Sequence, residues 1–186
     1  KPLNKGLDFS TEGLRFDTTD GLHWPGGNVS FSYAEADNGQ SAKGMFHGDK
    51  LDLLALRNIA LQLPLPESAR QHLLDHKISG MVNPLHVEWS EKIDGQEKST
   101  HVNVANGRLE NFYFEAGKQG TSSAQWPGVE NANISFDMNA EGGQIKASID
   151  NGALSIQHIF EEARIPLDKM QASVKWVQQK GQLSIP

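Results

Sequence analysis

Along most of its length the chain alternates apolar and polar residues one by one, the period of a strand with one dry face and one wet face. Val29, Phe31 and Tyr33 are spaced by serines, and Ile134, Phe136 and Met138 by Ser135 and Asp137. Leu85, Val87 and Trp89 alternate with His86 and Glu88, and Ile145, Ala147 and Ile149 with Lys146 and Ser148. Shorter rows occur at Leu7-Asp8-Phe9, Leu14 to Thr18, Val102 and Val104, Leu109 to Phe114, and Ala172, Val174 and Trp176. The first two rows predict a strand pair. Asp37-Asn38-Gly39 predicts a hairpin, because Asn-Gly readily takes the positive φ angles of tight turns. Asn106-Gly107, Glu141-Gly142-Gly143 and Asn151-Gly152 predict further turns. A return strand is expected from Ala42 to Phe46, and another strand from Lys50 to Leu56.

The grammar changes once, at Leu63-Pro64-Leu65-Pro66. Pro66 suits the first turn of a helix, and Glu67 suits the positive end of its dipole. Ala69, Leu73 and Leu74 share a helical face, so one short helix is predicted at about residues 66–76.

The alternation is also written twice. Trp24-Pro25-Gly26 precedes Asn28-Val29-Ser30-Phe31-Ser32-Tyr33, and Trp126-Pro127-Gly128 precedes Asn133-Ile134-Ser135-Phe136-Asp137-Met138. Each copy continues into a return strand, a segment starting at Leu51 or Leu154, and a closing strand ending in Trp89 or Trp176. Residues 1–89, with the helix, form one β repeat unit and residues 90–186 a second, together one continuous structural domain. Strands with one apolar face build an antiparallel, mainly β molecule. Two architectures bury that face: a β-sandwich of two packed sheets, or a strongly curled sheet whose apolar side lines a groove.

Composition narrows the chemistry. The net charge of -6 argues against nucleic acid, which needs clustered Lys and Arg. The absence of cysteine excludes disulfides, thiol catalysis and cysteine-held metals. His72-Leu73-Leu74-Asp75-His76 places two histidines on one helical face, but Leu73 stands where a zinc protease needs its glutamate, and no third ligand follows. The carboxylates Asp17, Asp20, Glu35, Asp37, Glu110, Glu115 and Glu141 sit at turn tips or on polar strand positions, where solvation is their ordinary role. Ser and His occur without a nucleophile elbow, and Gly26-Gly27 and Gly142-Gly143 lack phosphate-loop spacing. No enzyme, cofactor or metal is expected. The chain contains no apolar run long enough to span a bilayer.

Leu51-Asp52-Leu53, Leu61-Gln62-Leu63-Pro64-Leu65-Pro66-Glu67-Ser68-Ala69-Arg70 and Leu85-His86-Val87-Glu88-Trp89 together resemble the YhdP-like branch of the AsmA-related envelope proteins. So does Trp126-Pro127-Gly128-Val129-Glu130-Asn131-Ala132, running on through Gly142-Gly143 and Phe160 to Val174-Lys175-Trp176. The resemblance covers essentially the whole chain. It implies a slice of a long periplasmic protein anchored in the inner membrane of a Gram-negative bacterium. It also implies a curled, apolar-lined trough, with phospholipid passing between inner and outer membranes and an effect on outer-membrane permeability. Candidate lining positions are Val29, Phe31, Tyr33, Leu85, Val87, Ile134, Phe136, Met138, Ile145, Ile149 and Val174. Phospholipid, or another acyl-chain lipid, is the expected partner. The competing expectation is a structural, carbohydrate-binding or partner-binding β-sandwich with a self-buried core.

Overall fold

The computed structural model describes residues 6–19, 21–37, 41–94, 97–115, 127–156, 164–179 and 182–185; at 72, 92–94, 97, 98, 179, 182 and 183 only the backbone is described. Asp20, Asn38, Gly39, the 117–123 loop, Trp126 and Phe160 lie outside the described residues.

The chain runs β1 (Gly6–Thr11), β2 (Phe16–Asp17), β3 (His23–Trp24), β4 (Asn28–Ala34), β5 (Lys43–Asp49), β6 (Leu51–Asp52), α1 (Leu53–Gln62) and α2 (Glu67–Asp75). It continues as β7 (Ile78–Asp94), β8 (Glu97–Phe114), β9 (Gly128–Asn139), β10 (Gly142–Ser155), β11 (Arg164–Gln179) and β12 (Gln182–Ser184). Ten strands form one sheet in the order β1-β4-β5-β7-β8-β9-β10-β11-β12, with β6 on β7; β2 and β3 form a separate ribbon. Every pairing is antiparallel. The described residues thus form one broad sheet and not the two facing sheets of a sandwich. That sheet is open, and it is neither closed nor strongly curled as the groove expectation had it.

Register fixes which side chains share a face, because directly paired residues point the same way and successive residues alternate. One row crosses eight strands as Phe9, Phe31, Phe46, Val87, Ala105, Met138, Gly143 and Trp176. A parallel row runs Leu51, Val82, Leu109, Ile134, Ala147, Ala172. The opposite face carries His47, His86, Asn106, Asp137, Gln144 and Lys175 in register. The alternation read in the sequence therefore sorts into one apolar and one polar face across the entire sheet.

The segment expected as a strand from Lys50 to Leu56 is mostly helix. After two residues of β6, the Asp52 side chain accepts a hydrogen bond from the Ala55 N–H at 2.9 Å and caps α1. Leu53 to Gln62 is rich in Leu and Ala, strong helix formers, with Ile59 its one β-branched residue. Two helices stand where one was expected, and α2 (Glu67–Asp75) matches the predicted one. They are tied by side chain to backbone bonds: Arg57 Nε donates to the Leu73 carbonyl at 2.7 Å, and an Arg70 guanidinium N–H to the Leu61 carbonyl at 2.8 Å. α1 lies on the apolar face. Leu53, Ala55, Leu56 and Ile59 pack with Trp24, Leu51, Val29, Phe46, Val82, Leu85 and Leu109 to form the core.

Three predicted connections are different in kind. Leu7 to Phe9 pairs with β4 and not with the row that follows it, while Phe16 and Asp17 pair with Trp24 and His23. Asn106-Gly107 lies inside β8, where Gly107 is small because Pro84 O and the Phe136 ring would each stand 2.9 Å from a methyl there. Asn151-Gly152 is a bulge inside β10, not a turn.

That bulge belongs to a line. Gly80 in β7, Asn111 in β8, Asn131 in β9 and Asn151 in β10 all have positive φ, of 130°, 49°, 58° and 52°. The register shifts beside each of them, between Ser79 and Met81, Leu109 and Phe112, and Ile149 and Ala153. Bulges bend strands and raise their twist. Aligned on four neighbours, they crease the sheet. Asn suits such positions because its short amide tolerates the left-handed region and bonds locally: Asn131 Nδ2 donates to the Asp150 carbonyl at 2.7 Å.

Candidate functional site

The candidate site is the apolar face. Its eleven sequence-predicted positions all fall on that face, by the pairings Val29–Gly48–Leu85, Phe31–Phe46–Val87, Tyr33–Gly44–Trp89, Phe136–Ile145–Val174, Met138–Gly143–Trp176 and Ala132–Ile149–Met170. They are not equally accessible. Val29 and Leu85 pack against the helix-covered core. Ile149 is fully buried, because the bulged segment of β10 folds onto it: a methyl at Gly152 would come within 2.6 Å of its Cγ2. Phe31, Tyr33, Val87, Ile134, Phe136, Met138 and Ile145 are half-buried, and Val174 is 48% exposed. The same face holds apolar residues that strand rows alone did not single out. Leu7 and Phe9 sit on edge strand β1, 59% and 54% exposed, paired with Tyr33 and Phe31. Their alternation was visible in the sequence, but their side of the sheet follows only from the pairing with β4.

Coverage divides the face. Over β4, β5 and β7 the helix α1 and Trp24 lie on it; over β9, β10 and β11 no described element does. The open, single-layer architecture goes with a large total area. A compact monomer of 20.4 kDa exposes roughly 8,800 Å² by the usual scaling, whereas this chain exposes 13223 Å². The fully buried core is accordingly small and dominated by alanines: Ala42, Ala55, Ala105, Ala132 and Ala153 beside Trp24, Leu51, Val82 and Ile149.

The polar face offers different chemistry. A depression of about 650 Å³ crosses β8 to β11 and is lined by Arg108, Ser135, Lys146 and Ser173 in one row, by Glu110, Asn133, Ser148 and Gln171 in another, and between them by Leu109, Ile134, Ala147 and Ala172. Mixed charges, amides and hydroxyls of this kind suit a hydrated surface. At one end of the sheet Arg164 grips Glu130 with two bonds, of 2.9 and 2.7 Å, across Ala153. The bond from Arg164 holds the Glu130 carboxyl below its ordinary range, and Glu130 raises the Arg164 guanidinium in return. Among the described residues no three His, Asp or Glu side chains are placed to hold a metal. His76 stacks on Phe114 with centroids 5.3 Å apart, and the His72 side chain lies outside the described residues.

Compared with known families, residues 1–186 match throughout the family described as YhdP protein. The chain belongs to the YhdP family. It is thus a YhdP-like segment of the AsmA-related envelope proteins. Searches among curated proteins and among solved structures returned no match. Among the described residues no helix is long and apolar enough to cross a membrane.

In this YhdP segment two matched residue triplets stand in register. In β4-β5-β7 the register sets Tyr33, Gly44 and Trp89 side by side; in β9-β10-β11 it sets Met138, Gly143 and Trp176 side by side. Both central glycines are tightly packed by the neighbouring indole, so that a methyl at either would overlap the ring. The first copy of the Trp-Pro-Gly stretch packs as a corner: Trp24 is 3% exposed, in the core.

Proposed function

We propose that this chain is a conduit segment of a longer, membrane-anchored protein of the Gram-negative periplasm, and that its apolar sheet face carries phospholipid between inner and outer membranes. Acyl chains lie against the apolar rows while head groups remain in water at the margin of the sheet. The attraction is about 0.8 kcal/mol per buried methylene, spread over many weak contacts, which suits sliding better than tight capture. Lipid covers the part of the apolar face that α1 leaves open. The transfer involves no bond chemistry, cofactor or metal.

The observation that carries this reading is the continuous apolar face, half of which has no covering element among the described residues. Family membership supports it, because it joins that face to an envelope protein. The test is extraction of the purified chain with organic solvent, followed by mass spectrometry for phospholipid. Lipid is expected with the wild type. Phe136→Asp, which sets a charge in the middle of the open half, is expected to lose it while circular dichroism still reports β-sheet. A folded Phe136→Asp variant that loads lipid normally would remove Phe136 from the path, and a lipid-free wild type that takes up no fluorescent acyl probe would sink the conduit.

A further inference from the structure

The two glycine-seated tryptophans recur at matched places, and neither belongs to the helix-covered core. Trp89 and Trp176 are half-buried, in contrast to Trp24. Each indole extends over its neighbour strand at a glycine, where any side chain would collide with the ring: Trp89 over Gly44, Trp176 over Gly143. One side of each ring system is thereby taken up by backbone, and the remainder stays partly open on the apolar face. Phe31 flanks Trp89 with centroids 5.9 Å apart and ring planes at 40°. The row that ends in Trp176 runs Val87, Ala105, Met138 and Gly143 and starts two residues along β7 from Trp89; Ala105 and Gly143 are its low points.

We propose that Trp89 and Trp176 are two contact stations for a single acyl chain, which lies across β7 to β11; the proposal rests on the conduit reading and names where the chain touches. Trp89 is on β7 and Trp176 on β11, four strand spacings apart, or roughly 19 Å. That span is comparable to an extended fatty acyl chain. A flat ring seated on backbone offers a large apolar area with little side-chain entropy left to lose, which favours a flexible guest. Beside Trp89 stand Phe31 and Val87, with the Tyr33 hydroxyl already bonded to Glu91 at 3.1 Å, and beside Trp176 stand Met138 and Val174. This lining favours hydrocarbon over a hydroxyl-rich sugar, most of whose hydroxyls would be left unpaired there.

The experiment uses the whole chain loaded with phosphatidylcholine brominated near the middle of its acyl chains, since bromine quenches indole fluorescence on contact. Each tryptophan is replaced singly by Phe. Trp89→Phe and Trp176→Phe are each expected to remove a share of the quenched emission, and Trp24→Phe none. In a second arm, Gly44→Ala and Gly143→Ala lift the paired indole off its seat, and each is expected to lower quenching at its own tryptophan while the circular dichroism spectrum is kept. Bound lipid with quenching unchanged in both Trp89→Phe and Trp176→Phe overturns the stations and leaves the conduit standing. Absence of any retained lipid in the wild type overturns both.

Discussion

The two halves of the apolar face obey the same alternation and meet different fates. Over β4, β5 and β7, α1 converts an apolar face into a core, with Leu51 1% and Val82 4% exposed. Over β9, β10 and β11 the rows through Phe136 and Met138 are half-buried and Val174 remains 48% exposed, with full burial on this face confined to Ala132 and Ile149 beside the bulge. Strand alternation states that a face is apolar; it is silent on what covers it. Cover here comes from an insertion of twenty-odd residues between β6 and β7 in one set of strands, while β10 and β11 are joined without any described helix. One half is core, and the other has no covering element among the described residues.

The contrast predicts unequal costs per carbon removed. Leu51→Ala, in the covered half, should destabilise the chain by about 2–5 kcal/mol in urea unfolding, the range for opening a cavity in a packed core. Val174→Ala, in the open half, should cost less than about 1 kcal/mol, since little packing surrounds it, yet reduce lipid loading. Equal costs at both sites would show the open half to be packed as tightly as the covered one.

The crease comes next in size. Asn131→Val forces a β-branched residue into the left-handed region and should cost roughly 1–3 kcal/mol, while Asn131→Gly should cost clearly less despite losing the bond to Asp150. If both variants lose the same amount, the amide bond matters and the backbone angle does not. A smaller effect is expected from Asp52→Ala. Loss of the cap on α1 should cost about 1 kcal/mol and raise hydrogen exchange in α1 ahead of β9 to β11, separating cover from sheet.

The places where sequence reading succeeded and failed follow the same division. Faces were legible because period two survives any pairing, so Phe31, Phe136 and Val174 could be set on one side before any partner was known. Asn-Gly dipeptides misled because the preference for positive φ is shared by turns and bulges, and only the neighbouring strand decides between them. At Asn151-Gly152 the neighbour β9 continues past and makes a bulge; at Asn106-Gly107 the glycine answers a packing demand from Pro84 and Phe136. α1 was missed because Leu53 to Leu56 follows a genuine strand start at Leu51, and the Asp52 cap that switches the period is a single residue. The sheet's openness was beyond reach, since curl depends on the sum of twists and bulges over many strands and leaves no local mark.

The smallest predicted effect tests whether the open half needs its surface ion pair. Glu130 and Arg164 join β9 to β11 over β10, and both remain substantially in water, so solvent screens most of what the pair contributes. The sign of its pH dependence is nonetheless fixed. Because the bond to Arg164 lowers the folded-state pKa of Glu130, the stabilisation is fully present above the ordinary glutamate range and fades as pH falls through the lowered folded value. Arg164→Gln should therefore lower the melting temperature slightly near neutral pH and leave it unchanged in strong acid, where wild type and variant both carry a protonated Glu130. A difference that persists undiminished in acid would assign the effect to lost packing of the arginine stem over Ala153 and not to charge, and would make that end of the open half a packed edge like the covered one.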